Sequence, residues 1–160
     1  MRTRTSTLGL HAALALLLVL SGCAGGRDGS GVTGPTDPVR ILRSANGDDP
    51  ANGTLGAWLI KSDDQLDQIG SGELARLQVD FARESLIIVA LGEQATSGYG
   101  VRLTGVSRAG EDLFVQGVRT SPAEGDPILE ILTYPYAAAV IARTSAVRVL
   151  PEINSEGSGG

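Results

Sequence analysis

The sequence predicts a mainly β protein, a small antiparallel β-sandwich or open barrel with one short helix near residues 62–70. Two observations indicate this fold. Short apolar runs recur between residues 39 and 150, separated by turn residues at intervals of roughly ten, a spacing typical of small all-β domains. Only one stretch combines the start and stop signals of a helix.

The first predicted strands are the short apolar runs at residues 39–42 and 57–61. Residues 85–91, SLIIVAL, form a continuous run rich in β-branched side chains, which is typical of a central strand buried on both faces. Residues 101–105 alternate between apolar and polar side chains, so they predict a half-exposed strand.

Three further strands are predicted at residues 113–118, 137–142 and 145–150. Residues 126–132, DPILEIL, are ambiguous. Asp followed by Pro can open a helix, but Pro135 limits any helix to two turns, and the β-branched and apolar content favours a strand.

The predicted helix runs from Ser62 to Ile69. Ser62 can cap its first turn, acidic residues fill that turn where the helix dipole favours them, and Gly70 follows its end. Leu66 and Ile69 lie three residues apart and would share the buried face.

Residues 1–22 have the features of a secretory signal, a basic start followed by a short apolar core from Leu14 to Leu20. That core is shorter than the roughly 20 apolar residues needed to span a bilayer as a helix. Leu20-Ser21-Gly22-Cys23 resembles the bacterial lipobox. The resemblance implies cleavage before Cys23 and attachment of several acyl chains, such as palmitate, to this cysteine. The alternative is an ordinary signal peptide in which the cysteine has no special role.

The chain after the signal divides into three predicted parts. Residues 23–38 are a flexible Gly/Pro-rich tether, residues 39–153 are a single β-rich domain, and residues 154–160 are a disordered tail. We therefore expect an exported lipoprotein bound to a membrane through Cys23. Ala24 rather than Asp follows the cysteine, which by resemblance to lipoprotein sorting favours the outer membrane where the bacterium has one.

Charge argues against nucleic acid as a partner. Removal of Arg2 and Arg4 lowers the 13 basic residues to 11 against 18 acidic ones, a formal net charge of −7. An acidic surface repels phosphate backbones.

Reactive side chains are scarce after the signal. His11 is the only histidine and Cys23 is the only cysteine. Ser-His-Asp and Cys-His catalysis therefore lack their base and thiolate, and zinc or copper sites lack their usual ligands. The acidic residues do not follow the spaced pattern of a calcium loop. We expect no enzymatic activity, no metal and no cofactor.

Two blocks resemble the C-terminal domain of the PrcB family, which is named after a subunit of a surface protease complex. The first is VDFARESLIIVALGEQATSGYGVRLTGV, residues 79–106, and the second is LTYPYAAAVIA, residues 132–142. The likeness extends over roughly residues 60–152. It implies a small exported β-rich domain, often a lipoprotein, with a protein partner such as a protease.

The segment Thr96-Ser97-Gly98-Tyr99 is also similar to the N-P-T-T-G-Y/F loop of chagasin-like inhibitors of cysteine proteases. Those inhibitors present the loop to the protease cleft from an immunoglobulin-like sandwich. This chain departs from that pattern, because Gln94-Ala95 stands in place of Asn-Pro and no R-P-W segment is present.

The candidate partner-binding residues lie in the loop from Glu93 to Gly100 and in the Tyr-Pro-Tyr segment. Two interpretations stay open: the tyrosines form an exposed contact surface, or they pack inward while the glycines serve a hairpin. The favoured function is a lipid-anchored binding module. The alternatives are a chagasin-like inhibitor and a structural envelope lipoprotein without a specific ligand. The candidate residues are Glu93, Thr96, Ser97, Gly98, Tyr99, Tyr134, Pro135 and Tyr136.

Overall fold

The structure is a computed structural model that describes residues 36–48, 53–70 and 72–156. The described residues form two four-stranded sheets and two short helices, which confirms the mainly β, sandwich-like fold; the sheets do not close into a barrel. The strands are β1 (Asp37–Pro38), β2 (Ile41–Asp48), β3 (Leu55–Ile60), β4 (Glu84–Leu91), β5 (Gly100–Ala109), β6 (Asp112–Thr120), β7 (Pro135–Ala142) and β8 (Arg148–Ser155). The helices are α1 (Asp63–Ile69) and α2 (Gly72–Ala75).

The first sheet has the strand order β1-β5-β6-β8 and the second has the order β2-β7-β4-β3. All pairs are antiparallel except β6 with β8, which is parallel. At the start of the parallel pair, Arg148 donates to both carboxylate oxygens of Asp112, at 2.6 and 2.8 Å. The hydrogen bonds to Asp112, and then the negative charge of that carboxylate, raise the pKa of Arg148.

The centre of the second sheet is the pair of β4 and β7. Successive residues of β4 face opposite sides of the sheet, and each side contacts a different hydrophobic cluster. Leu86 and Ile88 pack in one cluster together with residues of the helices. Ile87 and Val89 pack in the other cluster together with residues of β5 and β6. Both faces of β4 are therefore covered, as the SLIIVAL run predicts.

Helix α1 begins and ends as its sequence predicts. The backbone N–H of Gln65 donates to the Ser62 hydroxyl, and Gly70 ends the helix in the left-handed region with φ of 75°. Helix α2 was not predicted, because four residues with one buried side chain, Leu74, leave no periodic pattern.

The prediction of a strand at residues 126–132 is wrong. This run belongs to a loop, and its backbone bonds go to a neighbouring loop and to itself rather than to a ladder. The last strand starts at Arg148 rather than at residue 145, and residues 143–147 connect it to β7.

The strands reach beyond the predicted domain 39–153 at both ends. Asp37 and Pro38, assigned to the tether, pair with β5, and Asn154 and Ser155, assigned to the tail, pair with β6. The predicted signal peptide and the predicted lipidation site, Cys23, lie outside the described residues. Within the described part of the chain, no helix is long and apolar enough to cross a membrane.

Gly117 in β6 gives a test of the packing between the first sheet's strands. A Cβ at this position would lie 2.7 Å from Ile153 Cδ1 and 3.0 Å from the Arg102 carbonyl oxygen. We predict that Gly117→Val lowers the free energy of unfolding by about 1–3 kcal/mol, because the added side chain overpacks the site. Urea denaturation measures the change.

The control is Gly100→Val in β5, where the nearest atom to an added Cβ is Thr120 Cβ at 3.9 Å. We expect this variant to change the free energy of unfolding by no more than about 0.5 kcal/mol. Equal losses in the two variants would contradict the packing described for Gly117.

Candidate functional site

The candidate site lies where the β4–β7 pair ends. Beyond it are the first loop (residues 92–99), which joins β4 to β5, and the second loop (residues 121–134), which joins β6 to β7. An antiparallel bridge between Gln94 and Thr133 links the two loops. The Gln94 N–H donates to the Thr133 carbonyl at 2.8 Å, and the Thr133 N–H donates to the Gln94 carbonyl at 2.9 Å. The β4–β7 ladder thus continues into both loops.

Two predicted site residues, Thr96 and Ser97, fasten the loops together. The Thr133 hydroxyl donates to the Thr96 carbonyl at 2.9 Å. The Ser97 N–H donates to the Leu129 carbonyl at 3.0 Å, and the Leu129 N–H donates to the Ser97 hydroxyl at 2.9 Å. Both residues thus lie where the first loop bonds to the second loop.

Gly98 lets the loops approach each other closely. Its φ is 91°, in the left-handed region that side chains other than glycine rarely adopt. A Cβ at this position would lie 3.1 Å from Pro122 Cβ in the second loop. Two physical reasons therefore favour glycine at this position, the backbone conformation and the lack of space for a side chain.

Glu93 and Tyr134 form a second contact between the loops. The Tyr134 hydroxyl donates to Glu93 Oε2 at 3.1 Å, and the Tyr134 N–H donates to the Asp48 carboxylate. The hydrogen bond to Glu93 is the main cause that raises the pKa of Tyr134, followed by burial and by the charge of Glu93. The phenol therefore stays protonated at neutral pH and remains a donor.

The direction of the Tyr134 pKa shift determines the pH range in which its contact with Glu93 stabilises the fold. Because the pKa of Tyr134 is raised in the folded state, the stabilising contribution is complete below the unfolded-state pKa of about 10. It is lost as the pH rises through the folded-state pKa, where the phenolate faces the Glu93 carboxylate.

Tyr99 is half-buried beneath an arginine that sequence reasoning missed. The guanidinium carbon of Arg119 in β6 lies 5.4 Å from the centroid of the Tyr99 ring, within the range of a cation–π contact. Arg119 Nη2 also donates to Gln94 Oε1 at 3.3 Å. An arginine near the end of a strand gives no signal by itself, since its neighbour depends on how the first loop folds.

The structure separates the Tyr-Pro-Tyr segment into two environments. Tyr134 is half-buried in the second loop, but Pro135 and Tyr136 are the first residues of β7 and are buried, with only 3% of Tyr136 exposed. Tyr136 lies opposite Ala90 of β4 and packs in the core beside Ile60. Pro135 and Tyr136 therefore leave the candidate surface, and Tyr99 and Tyr136 do not form one exposed patch.

The second loop exposes large apolar side chains that sequence reasoning assigned to a strand. Between 46% and 63% of each is exposed. One signal in the sequence that is consistent with a loop is Pro127, which restricts the backbone of Asp126 and cannot donate to a strand ladder. The four exposed residues are Ile128, Leu129, Ile131 and Leu132.

The site offers hydrogen bonds, aromatic rings and apolar contacts. The described residues contain no group of three or more His, Cys, Asp or Glu side chains that could hold a metal ion. That the protein binds no metal or cofactor stays a prediction. The arrangement is one that can bind another molecule by contact.

Comparison with known proteins supports one of the two resemblances. Residues 85–142 match the family model described as PrcB C-terminal. No curated protein and no solved structure matches the chain. The likeness of the first loop to chagasin-like inhibitors stays a prediction. The matched stretch begins in β4, contains both loops and ends with β7, so this part of the chain is similar to the PrcB C-terminal domain.

Proposed function

We propose that this protein is a lipid-anchored, non-enzymatic binding module of the bacterial envelope, and that it contacts a partner protein through the second loop and the adjoining first loop. The observation that carries the proposal is the exposed apolar run at residues 128–132. A contiguous group of exposed apolar side chains is favoured at protein contact sites, because contact removes them from water.

The attachment of the second loop to the first supports this proposal. The Gln94–Thr133 and Ser97–Leu129 backbone bonds fix the exposed run at both of its ends. In addition, the Ala123 N–H donates to the Asp126 carboxylate at 2.7 Å and orders the turn before the run. A surface that is ordered before binding loses less conformational entropy when the partner arrives, so more of the contact energy contributes to affinity.

The similarity to the PrcB C-terminal domain supports one class of partner. The PrcB family takes its name from a subunit of a protease complex, so we propose a protease or another member of such a complex as the partner. The stretch that matches the PrcB C-terminal model contains both loops, which supports a contact surface in this part of the chain.

The membrane anchor in this proposal is the lipid on Cys23. The tether between Cys23 and β1 would let the domain stand away from the membrane, with the outer membrane favoured where one exists. Several acyl chains are needed for stable attachment, since a single chain binds a bilayer only marginally.

We predict that Leu129→Glu lowers recovery of the partner about tenfold, because a charge replaces an apolar contact at the centre of the interface. The measurement is affinity capture of the full-length protein from detergent-solubilised membranes of the source bacterium, with partner recovery quantified by mass spectrometry. Leu129 is 63% exposed, so the folded state should tolerate the change.

The matched control is Leu42→Glu, at an exposed leucine of β2. It should leave partner recovery unchanged. Equal recovery with both variants would contradict a contact at the second loop. Slowed turnover of a papain-like protease by the purified protein alone would instead favour the inhibitor alternative.

We predict that Cys23→Ser abolishes incorporation of labelled palmitate and moves the protein from the membrane to the soluble fraction. The serine hydroxyl cannot form the thioether on which the lipid is built. Ser21→Ala, which keeps a small residue in the lipobox, serves as the control and should retain both the label and membrane attachment. Membrane attachment of the Cys23→Ser protein would show that the anchor lies elsewhere.

A further inference from the structure

A pocket lies between the edge strands of the two sheets. A pocket of about 320 Å³ opens between β3, at the edge of one sheet, and β8, at the edge of the other. Leu55 and Gly56 of β3 and Pro151 and Ile153 of β8 line its two sides. Arg119 is the only charged residue among those that line it, and the rest are apolar or glycine.

Arg119 is incompletely satisfied in this pocket. Its guanidinium donates to the neutral amide oxygen of Gln94 and lies over the Tyr99 ring. Its Nε is buried and has no hydrogen-bond partner. By contrast, Arg43 and Arg148 each donate to both oxygens of a carboxylate.

The positive charge of Arg119 therefore lacks a counter-charge: no carboxylate of the described residues forms an ion pair with it. A guanidinium presents a planar set of N–H donors that matches the two oxygens of a carboxylate. In a pocket with apolar walls this attraction is stronger than in water, because the local dielectric constant is lower.

We infer that this pocket binds a carboxylate carried by an extended peptide segment, with an apolar side chain of that segment against Leu55 and Ile153. The carboxylate provides the acceptor and the negative charge that Arg119 lacks. One cation and an apolar lining suit a single carboxylate, whereas a phosphate group is usually bound by several donors or cations.

The edges of β3 and β8 favour an extended segment as the occupant. Among the described residues each strand pairs on one side only, with β4 and β6 respectively, so each has a free side where an added strand could pair. Extended peptides bind such edges through main-chain hydrogen bonds, while a side pocket selects the residue type.

Tyr99 acts as a positioning residue in this site. Its ring lies 5.4 Å from the Arg119 guanidinium carbon and restricts where the guanidinium sits, and Gln94 accepts from one end of it. The first loop, which the sequence singles out for its tyrosine, therefore joins the second loop's exposed run to the arginine of the pocket.

The inference rests on the proposed function only in that a partner protein supplies the segment. The pocket is lined by β3, β4, β8 and Arg119, not by the exposed run of the second loop. Peptide binding to the purified protein therefore tests the pocket, and the Leu129→Glu capture tests the second loop. Failure of either leaves the other result standing.

The test uses the full-length purified protein labelled with ¹⁵N and short peptides at pH 7. One pair is N-acetyl-Val-Leu with a free carboxylate and the same peptide as its amide. The second pair, N-acetyl-Glu-Leu-amide and N-acetyl-Gln-Leu-amide, places the carboxylate on a side chain. Dissociation constants and the Nε–H resonance of Arg119 are followed by NMR titration.

We expect at least one carboxylate peptide to bind about tenfold or more tightly than its uncharged match, since hydrogen bonds to charged groups are worth that much. The Arg119 Nε–H resonance should shift as that peptide binds. The pair that shows the preference identifies the source as a chain terminus or an acidic side chain. Equal affinity within both pairs overturns the inference.

Arg119→Met should abolish the preference for the carboxylate, because methionine keeps an apolar side chain of similar length without the charge. Arg40→Met is the matched control, since Arg40 is exposed and does not line the pocket, and it should keep the preference. A preference that survives in Arg119→Met overturns the inference. If Arg119→Met does not fold, the inference is tested by comparing the affinities of the carboxylate and uncharged peptides for the unsubstituted protein.

Discussion

The antiparallel pairing of β4 with β7 is the contact on which the rest of the structure depends. Residues 85–90 and 135–141 are buried, so apolar burial on both faces adds to the ladder of hydrogen bonds between them. Small alanines at 137–139 let β7 lie between β4 and β2 while larger side chains of β4 fill both clusters. Strands β4 and β7 are antiparallel, so the last residues of β4 lie beside the first residues of β7. The loop that leaves β4 towards β5 and the loop that enters β7 from β6 therefore lie at the same end of this pair.

This constraint explains how residues far apart in sequence form one site. The first loop leaves β4 where the second loop enters β7, and the Gln94–Thr133 bridge extends the strand pairing into both. The exposed apolar run and the Glu93–Tyr134 contact then occupy fixed positions relative to the sheet. The Arg119 pocket is reached from the same loop, since Gln94 also accepts from the guanidinium. The proposed apolar contact surface and the proposed carboxylate pocket thus both adjoin the first loop, which follows β4.

The sequence predicts those parts of the fold that depend on local patterns. SLIIVAL indicates a doubly covered strand, and Ser62 and Gly70 bound α1, because each signal acts within a few residues. The parallel pairing of β8 with β6 could not be predicted, because the residue pattern of a strand does not indicate which strand lies beside it. DPILEIL has the composition of a strand, but its backbone bonds to Ser97 keep it in a loop. The sequence left the burial of Tyr136 open and gave no signal for Arg119, because burial depends on the register of β7 and the ring contact depends on the path of the first loop.

Amide hydrogen exchange is the most direct measurement of the central claim, that the β4–β7 ladder extends into the loops and holds them together. We predict that the amides of Gln94 and Thr133 are protected and exchange far more slowly than the amide of the exposed residue Glu130. Exchange of Gln94 and Thr133 as fast as Glu130, while Ile88 in the middle of β4 stays protected, would contradict it.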